Sequence, residues 1–428
     1  MKITISKAKK VTGCIIPPAD KSITHRAVMI ASLADGKSII KNYLPSADCI
    51  STINAFRQMQ IDVKQEKDTL FIEGKGLTLQ APQGKIDAGN SGTTTRLLSG
   101  ILSGQKFTSC IFGDSSLSKR PMARIIEPLT QMGAKIESQN STLPMTISGK
   151  RPLKAIDFIN EKSSAQVKSA VLFAGLFADG KTSVTETKTS RDHTERMLAA
   201  AGAPFEKNGG KITISPVQKL NPLKMSVPGD ISSAAFFIVA ALILDNSFLT
   251  LKNVGINQTR CGIIEALKKM GADIKFENLR DVSGEPVSDI IVKSSNLSGI
   301  DLDEKIIPSM IDEIPIFLIA AAGAKGTTKI SGAKELRFKE SDRIKVMAEG
   351  LEKIGAKVQV LEDGFIVDGN CNAKFSSAYI NTYDDHRIAM SFAIAALNCQ
   401  EEITLDNADC VAISYPNFFE DLKRVVSL

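Results

Sequence analysis

The apolar and polar positions along the chain fall into two patterns that recur. The first is an amphipathic helix that ends in Gly-Ala and runs into a strand, a turn and a second strand. It reads RIIEPLTQMGAKIES around Gly133, TERMLAAAGAPFEK around Gly202, GIIEALKKMGADIKFE around Gly271 and RIKVMAEGLEKIGAKVQVLEDGFIVDG around Gly355. In the last copy Ile344, Met347, Leu351 and Ile354 share one helical face. Gly355 is expected to take the left-handed conformation that lets the chain leave the helix. Val358 and Val360 then alternate as a strand, which Glu362-Asp363-Gly364 turns into a hairpin. A weaker copy, TINAFRQMQIDVKQEKDTLFIEG, carries Gln60-Ile61 where the others carry Gly-Ala.

The second pattern precedes the first: a polar turn, an Ala-rich helix, then a strand. Its six copies begin near Asp20-Lys21-Ser22, Asn90-Ser91-Gly92, Ser163-Ser164-Ala165, Asp230-Ile231-Ser232, Asp312-Glu313-Ile314 and Asp384-Asp385-His386. Bodies such as RAVMIASLA, AAFFIVAALIL and HRIAMSFAIAAL are apolar on nearly every face, so these helices are expected to be buried. The period of about 70 residues is longer than that of a solenoid. Six such units suggest an α/β protein of two lobes with three units each. KLNPLKMSVPGD and Ile16-Pro17-Pro18 read as the crossovers, giving one lobe over 21–227 and another over 1–20 plus 228–428. The polar helix starts would gather into an electropositive bowl, because helix N-termini favour anions.

Composition narrows the class. A chain of 428 residues with 43% hydrophobic and 23% charged residues is neither disordered, collagen-like nor a disulfide miniprotein. The longest apolar run, Ala234 to Leu244, falls short of the roughly 20 residues a membrane helix needs. MKITISKAKK alternates like a strand and has no apolar leader core, so a cytoplasmic location is expected. Seven cysteines without a CxxC pair, beside three histidines, give no metal pattern and read as free, mostly buried thiols. The net charge is +6, without a block of like charges, and there is no Trp. Nucleic acid and membrane are therefore not expected partners; a small anionic ligand fits better.

Several polar turns carry more than capping chemistry. Lys21 and Arg26 lie about one turn apart at a helix start, where a dipole disfavours cations unless an anion arrives. Asn90 to Arg96 is a hydroxyl-rich turn in which Gly92 admits close backbone approach. Gly113 to Pro121 reads as a flexible flap that brings Arg120 to an anion. Ser164, Ala165 and Gln166 open a buried helix, and Arg191 lies before another, a set suited to phosphate. His193 reads as structural. Asp312 heads an apolar helix, Lys339-Glu340-Ser341-Asp342-Arg343 is a dense charge cluster, and His386-Arg387 sits at a positive helix end. Four of the six helix starts, counting the flap, thus add Lys or Arg where stability alone would prefer acids, pointing to a multi-anion substrate pair.

The motifs DKSITHRA, GNSGTTTRLL, GDSSLSKRPM, SSAQVKSA, SRDHTERML, IDEIP, RFKESDR and YDDHRIAM, in that order, make the chain resemble the 5-enolpyruvylshikimate-3-phosphate synthase family along essentially its whole length. The wording of TTTRLL, SLSKRPM and SRDHTE resembles its second, bacterial sequence group. The resemblance implies a two-lobed inside-out α/β barrel of six βαβαββ units, three per lobe. It also implies transfer of the enolpyruvyl group of phosphoenolpyruvate to the 5-hydroxyl of shikimate 3-phosphate, a step of the shikimate pathway to aromatic amino acids. Shikimate 3-phosphate would be held by Lys21, Ser22, Arg26, Ser164, Ala165, Gln166, Arg191, Asp312 and Lys339. Phosphoenolpyruvate would be held by Lys21, Asn90, Gly92, Arg120, Gln166, Arg343 and Arg387. Asp312 would take the hydroxyl proton while Lys339 orients it, and Glu340 or Lys21 would protonate the methylene carbon. No cofactor or metal is implied, because arginines stabilise the developing charge.

The two lobes would each supply part of such a site, and their like charges would hold it open until an anion closes it. A monomer is expected, with glyphosate as inhibitor, since the glycine turn carries Gly92 and not the Ala linked to insensitivity. Many members carry a Lys in a CxAKxxP stretch where this chain has CVAISYP, with Ile413 in its place. Two rivals remain: a UDP-N-acetylglucosamine enolpyruvyl transferase, which would want a reactive Cys in the GDSSLSKRP loop, and a non-catalytic phosphate-binding scaffold.

Overall fold

The computed structural model describes residues 1–427, and the chain divides into two compact α/β units. The middle unit comprises residues 19–227 with 282–285; the terminal unit comprises 1–18, 228–281 and residues 286 onward.

The middle unit contains α1 (Lys21–Leu33), α2 (Ala47–Gln58), α3 (Gly92–Ser103), α4 (Ala123–Gln131), α5 (Ala165–Gly175) and α6 (His193–Ala200). Its strands form three four-stranded sheets with one plan: a parallel pair extended by an antiparallel hairpin. Ile86–Asp87 lies parallel to Thr108–Phe112, which pairs antiparallel with Met145–Ser148 and then Lys135–Ser138. Lys224–Ser226, Asp35–Lys41, Thr69–Lys75 and Asp62–Glu66 repeat that order. Asp157–Asn160, Thr182–Glu186, Lys211–Ile214 and Phe205–Asn208 repeat it again. In two of these sheets a buried helix, α3 or α5, is the crossover that joins the parallel pair, while Lys224–Ser226 joins Asp35–Lys41 from the far end of the unit.

Those helices, α1, α3 and α5, are buried along nearly their whole length. Helices this apolar can only be stable when sheltered on all sides, which the three sheets and the outer helices provide. Their approach is close: a Cβ on Gly100 of α3 would stand 2.1 Å from the Ala170 carbonyl oxygen of α5.

The terminal unit contains α7 (Ile231–Ile243), α8 (Gly262–Lys269), the single turn α9 (Ile307–Met310), α10 (Ile314–Ala322), α11 (Arg343–Lys353), α12 (His386–Leu397) and α13 (Phe418–Val425). Three sheets recur here as well among the described residues. The chain's first strands complete two of them: Lys10–Ile15 lies parallel to Phe248–Gly255, and Ile3–Ser6 antiparallel to Glu402–Leu405. Buried α7, α10 and α12 pack on one another. The sixfold α/β repeat and its buried helices are thus as the pattern predicted.

Local signals hold with one exception. Gly133, Gly202, Gly271 and Gly355 all have positive φ, between 81° and 100°, and Gln60 takes the same left-handed position at 63°. Ile344, Met347, Leu351 and Ile354 are buried on one face of α11. Val358 and Val360 lie on the strand Lys357–Leu361, which turns back at 362–363 into Gly364–Gly369 as expected; it is the edge strand of its sheet, and Val360 is 46% exposed. The cysteines are the exception: all are free, but only Cys49, Cys399 and Cys410 are buried; Cys14 and Cys371 are exposed. The sequence sets thiol spacing, and only packing sets exposure.

Candidate active site

In the middle unit, the expected ligand residues sit at the starts of α1, α3 and α5 and in the loops before α4 and α6. Asp20 caps α1, its Oδ1 accepting from the Ile23 amide at 2.9 Å, which sets Lys21 and Ser22 in the first turn. Lys21 Nζ stands 3.1 Å from Asp48 Oδ2 on α2. Arg26, buried one turn on, donates from Nε to Thr194 Oγ1 at 2.7 Å, from Nη2 to Ser169 Oγ at 2.9 Å and from Nη1 to the Ser22 carbonyl at 2.9 Å. Neutral oxygens from α1, α5 and α6 thus accept from its guanidinium.

Ser91 caps α3 and leaves Gly92 as the first helical residue. A Cβ there would lie 2.9 Å from Arg96 Nη1 and 3.5 Å from Arg120 Nη1, so two guanidiniums converge on that glycine. Arg120 donates to Asn90 Oδ1 at 2.6 Å, and Asn90 donates to Asp114 Oδ2 at 2.7 Å. Arg96 donates to Gln166 Oε1 at 2.7 Å, and Gln166 donates onward to Thr93 Oγ1 at 3.1 Å. Lys21, Asn90, Gly92, Arg120 and Gln166 are thereby organised around the first turns of three buried helices. Ser164 caps α5 with Ala165 and Gln166 following, and Arg191 lies half-buried in the segment before α6.

In the terminal unit the chemistry converges on Asp312. Lys339 Nζ donates to its Oδ1 at 3.1 Å, Arg343 Nη1 lies 3.5 Å from the same oxygen, and Arg387 Nη2 lies 4.0 Å from Oδ2. Arg387 also donates to the Asp312 carbonyl at 3.1 Å. Arg343 reaches Glu340 Oε2 at 2.6 Å and clasps Asp385 with two nitrogens. Burial works against the Arg343 charge, yet Asp385 and Glu340 outweigh it and raise its pKa above the usual arginine value. A carboxylate beside three cations can accept the proton of a bound hydroxyl, while the cations stabilise negative charge that develops on the reacting oxygens.

Two expectations need correction. The helix-start cations do not await a ligand for their first counter-charge: Asp48 faces Lys21, Asp312 faces Lys339, and Glu340 with Asp385 faces Arg343. The segment read as a flap is packed down, with Leu117 buried and Asp114 Oδ1 accepting from the Leu117 amide at 2.7 Å. Ile413, which stands where many family members carry a lysine, lies against the apolar core of the terminal unit. His193 is buried and pairs through Nδ1 with Glu285 at 2.7 Å. Arg96 was legible inside TTTRLL but had no assigned role. Asp48 carried no local signal, because its link to Lys21 depends on how α2 packs on α1.

Among the described residues no group of three or more His, Cys, Asp or Glu is placed to hold a metal ion. None of the described helices is long and apolar enough to cross a membrane.

Known proteins resemble this chain along nearly its whole length. The sequence profile of the EPSP synthase (3-phosphoshikimate 1-carboxyvinyltransferase) family matches residues 5–422. A 3-phosphoshikimate 1-carboxyvinyltransferase of Endomicrobium trichonymphae is 54% identical over 428 residues, covering 99% of this chain and 100% of that protein. One from a Sulfurihydrogenibium strain is 48% identical, with the same coverage of 99% and 100%. The solved EPSP synthase of Acinetobacter baumannii superposes with a TM-score of 0.88 at 45% identity, covering 99% of this chain and 98% of that one. With its sixfold fold and its paired clusters of cations and carboxylates, the chain belongs to the EPSP synthase family, the 3-phosphoshikimate 1-carboxyvinyltransferases.

Proposed function

We propose that this chain transfers the enolpyruvyl group of phosphoenolpyruvate to the 5-hydroxyl of shikimate 3-phosphate, and that Asp312 is the base that starts the transfer. The observation that carries the reading is the Asp312 carboxylate, held by Lys339 at 3.1 Å and bordered by Arg343 and Arg387. Asp312 removes the 5-hydroxyl proton as that oxygen attacks C2 of phosphoenolpyruvate, and Lys339 orients the hydroxyl. The methylene carbon gains a proton from Glu340 or Lys21 and becomes a methyl group. The tetrahedral intermediate then loses phosphate from C2 while one methyl proton returns to the group that supplied it, Glu340 or Lys21, restoring the double bond.

Lys21, Asn90, Gly92, Arg120, Gln166, Arg343 and Arg387 hold phosphoenolpyruvate, matching its carboxylate and phosphate with forked guanidiniums and backbone N–H groups. Lys21, Ser22, Arg26, Ser164, Ala165, Gln166, Arg191, Asp312 and Lys339 hold shikimate 3-phosphate. Its phosphate sits at the α5 N-terminus, where free N–H groups favour an anion. A cytoplasmic monomer inhibited by glyphosate belongs to the same proposal.

Phosphate release measured with phosphoenolpyruvate and either shikimate 3-phosphate or UDP-N-acetylglucosamine tests this. Turnover is expected with shikimate 3-phosphate alone, and Asp312→Ala should lower kcat by about 10²- to 10⁴-fold. Turnover with the nucleotide sugar, or an Asp312→Ala variant of undiminished rate, would overturn it.

A further inference from the structure

Below the first turn of α5 lies a buried charge cluster with no direct part in the proposed chemistry. Lys168 Nζ stands 3.0 Å from Glu186 Oε2 and 2.8 Å from Glu195 Oε1, with Lys168 and Glu186 side chains 1% and 2% exposed. Burying an ammonium carries a large desolvation cost, which here Glu195 and Glu186 together outweigh, holding the Lys168 pKa above its usual value. The cluster also carries a net negative charge near the turn proposed to receive a phosphate. Long-range attraction of that phosphate therefore does not account for it.

Its hydrogen bonds do. Glu186 Oε1 accepts from Ser190 Oγ at 2.6 Å and from Asn160 Nδ2 at 3.0 Å, while Oε2 accepts from the Ser190 amide at 3.2 Å. Ser190 directly precedes Arg191 in the chain. Asn160 Nδ2 also donates to the Ser164 carbonyl at 3.0 Å, and its Oδ1 accepts from the Ser164 amide at 3.3 Å. One carboxylate therefore grips, through Ser190 on one side and Asn160 on the other, both segments assigned to the shikimate phosphate. Lys168, one turn into α5, locks that carboxylate to the helix whose N-terminus faces the phosphate.

We propose that Glu186 is a positioning residue for shikimate 3-phosphate: through Ser190 and Asn160 it sets the Arg191 and Ser164 segments in register with each other. This rests on the assignment of Ser164 and Arg191 to the substrate phosphate. Because nothing in the cluster is assigned to phosphoenolpyruvate, its loss should affect one substrate and spare the other.

Steady-state kinetics of the full chain, with both substrates varied, separates the cases. Glu186→Gln is expected to raise the KM for shikimate 3-phosphate about tenfold, and Ser190→Ala about threefold, the range of a lost charged or neutral hydrogen bond. The KM for phosphoenolpyruvate and kcat should stay within about twofold of wild type. A purely structural role would reduce active fraction or melting temperature without changing the ratio of the two KM values. That ratio unchanged in both folded variants would overturn the proposal. Should Glu186→Gln fail to fold, Ser190→Ala, which removes only one hydroxyl, decides alone. Ser164→Ala and Arg191→Ala run in parallel: if neither raises the shikimate 3-phosphate KM, the phosphate assignment falls. If they do while Glu186→Gln and Ser190→Ala do not, only the positioning role falls.

Discussion

Arg343 and Asp385 meet as a two-pronged ion pair inside the terminal unit, Nε to Oδ2 at 2.8 Å and Nη2 to Oδ1 at 3.1 Å, with side chains 1% and 0% exposed. The same carboxylate caps α12, accepting from the Arg387 amide at 3.0 Å, and accepts from Ser341 Oγ at 2.9 Å. One aspartate thus holds two of the three arginines assigned to phosphoenolpyruvate, Arg343 by its side chain and Arg387 by its backbone amide.

Neutralising it leaves a buried guanidinium without its main counter-charge. Asp385→Asn keeps the shape and an acceptor for the cap, so its effect isolates the charge. Urea denaturation should show a loss of about 3 kcal/mol, the range found when one partner of a buried pair is removed. A loss below about 0.5 kcal/mol, typical of a surface change, would contradict the pairing.

Gly92→Ala should be tolerated by the fold and felt by the site. The added methyl would meet Arg96 Nη1 at 2.9 Å, a flexible side-chain end that can move, though only by leaving Gln166. The KM for phosphoenolpyruvate should rise on the order of tenfold, the equivalent of one charge-assisted hydrogen bond. Glyphosate should inhibit the wild type in competition with phosphoenolpyruvate and inhibit the variant less, as read from rates at low phosphoenolpyruvate.

His25 makes acid destabilising. It is buried, with Nδ1 2.7 Å from Thr52 Oγ1, and burial first, then the charges of Lys21 and Arg26, hold its pKa well below 6.5. In the unfolded chain the imidazole protonates near 6.5; in the folded one it does so only at lower pH. The unfolded state therefore binds more protons between those values, and stability falls as pH drops through that window. The slope approaches about 1.4 kcal/mol per pH unit. Subtracting the denaturation free energies of His25→Asn from those of wild type between pH 7 and about 5 should reveal that slope; a flat difference would rule it out.

Gln60→Gly should stabilise. Gln60 holds φ at 63°, where the four equivalent repeats place glycine. Relief of the left-handed penalty, about 1 kcal/mol, is partly offset by the freer unfolded glycine, leaving a gain of about 0.5 kcal/mol. The urea midpoint should rise at unchanged slope.

The amino-acid sequence determined the repeat by itself. Apolar runs without a polar face named α1, α3, α5, α7, α10 and α12 as buried, and Gly-Ala steps marked where the amphipathic helices end. Those are local properties, since a helix's apolar faces and its left-handed cap are written within a few turns of chain. Motif order brought the family and its candidate residues with it.

Which charge answers which was decided by tertiary structure alone. Lys21 and Asp48 are 27 positions apart, Lys339 and Asp312 also 27, and Arg387 reaches the Asp312 carbonyl across 75. The grip of Glu186 on Ser190 and Asn160 was equally invisible, as was the exposure of Cys14. Periodicity carries no information about partners on separate elements. They meet only when buried helices pack, and only then does a side chain lose its water and need a particular neighbour.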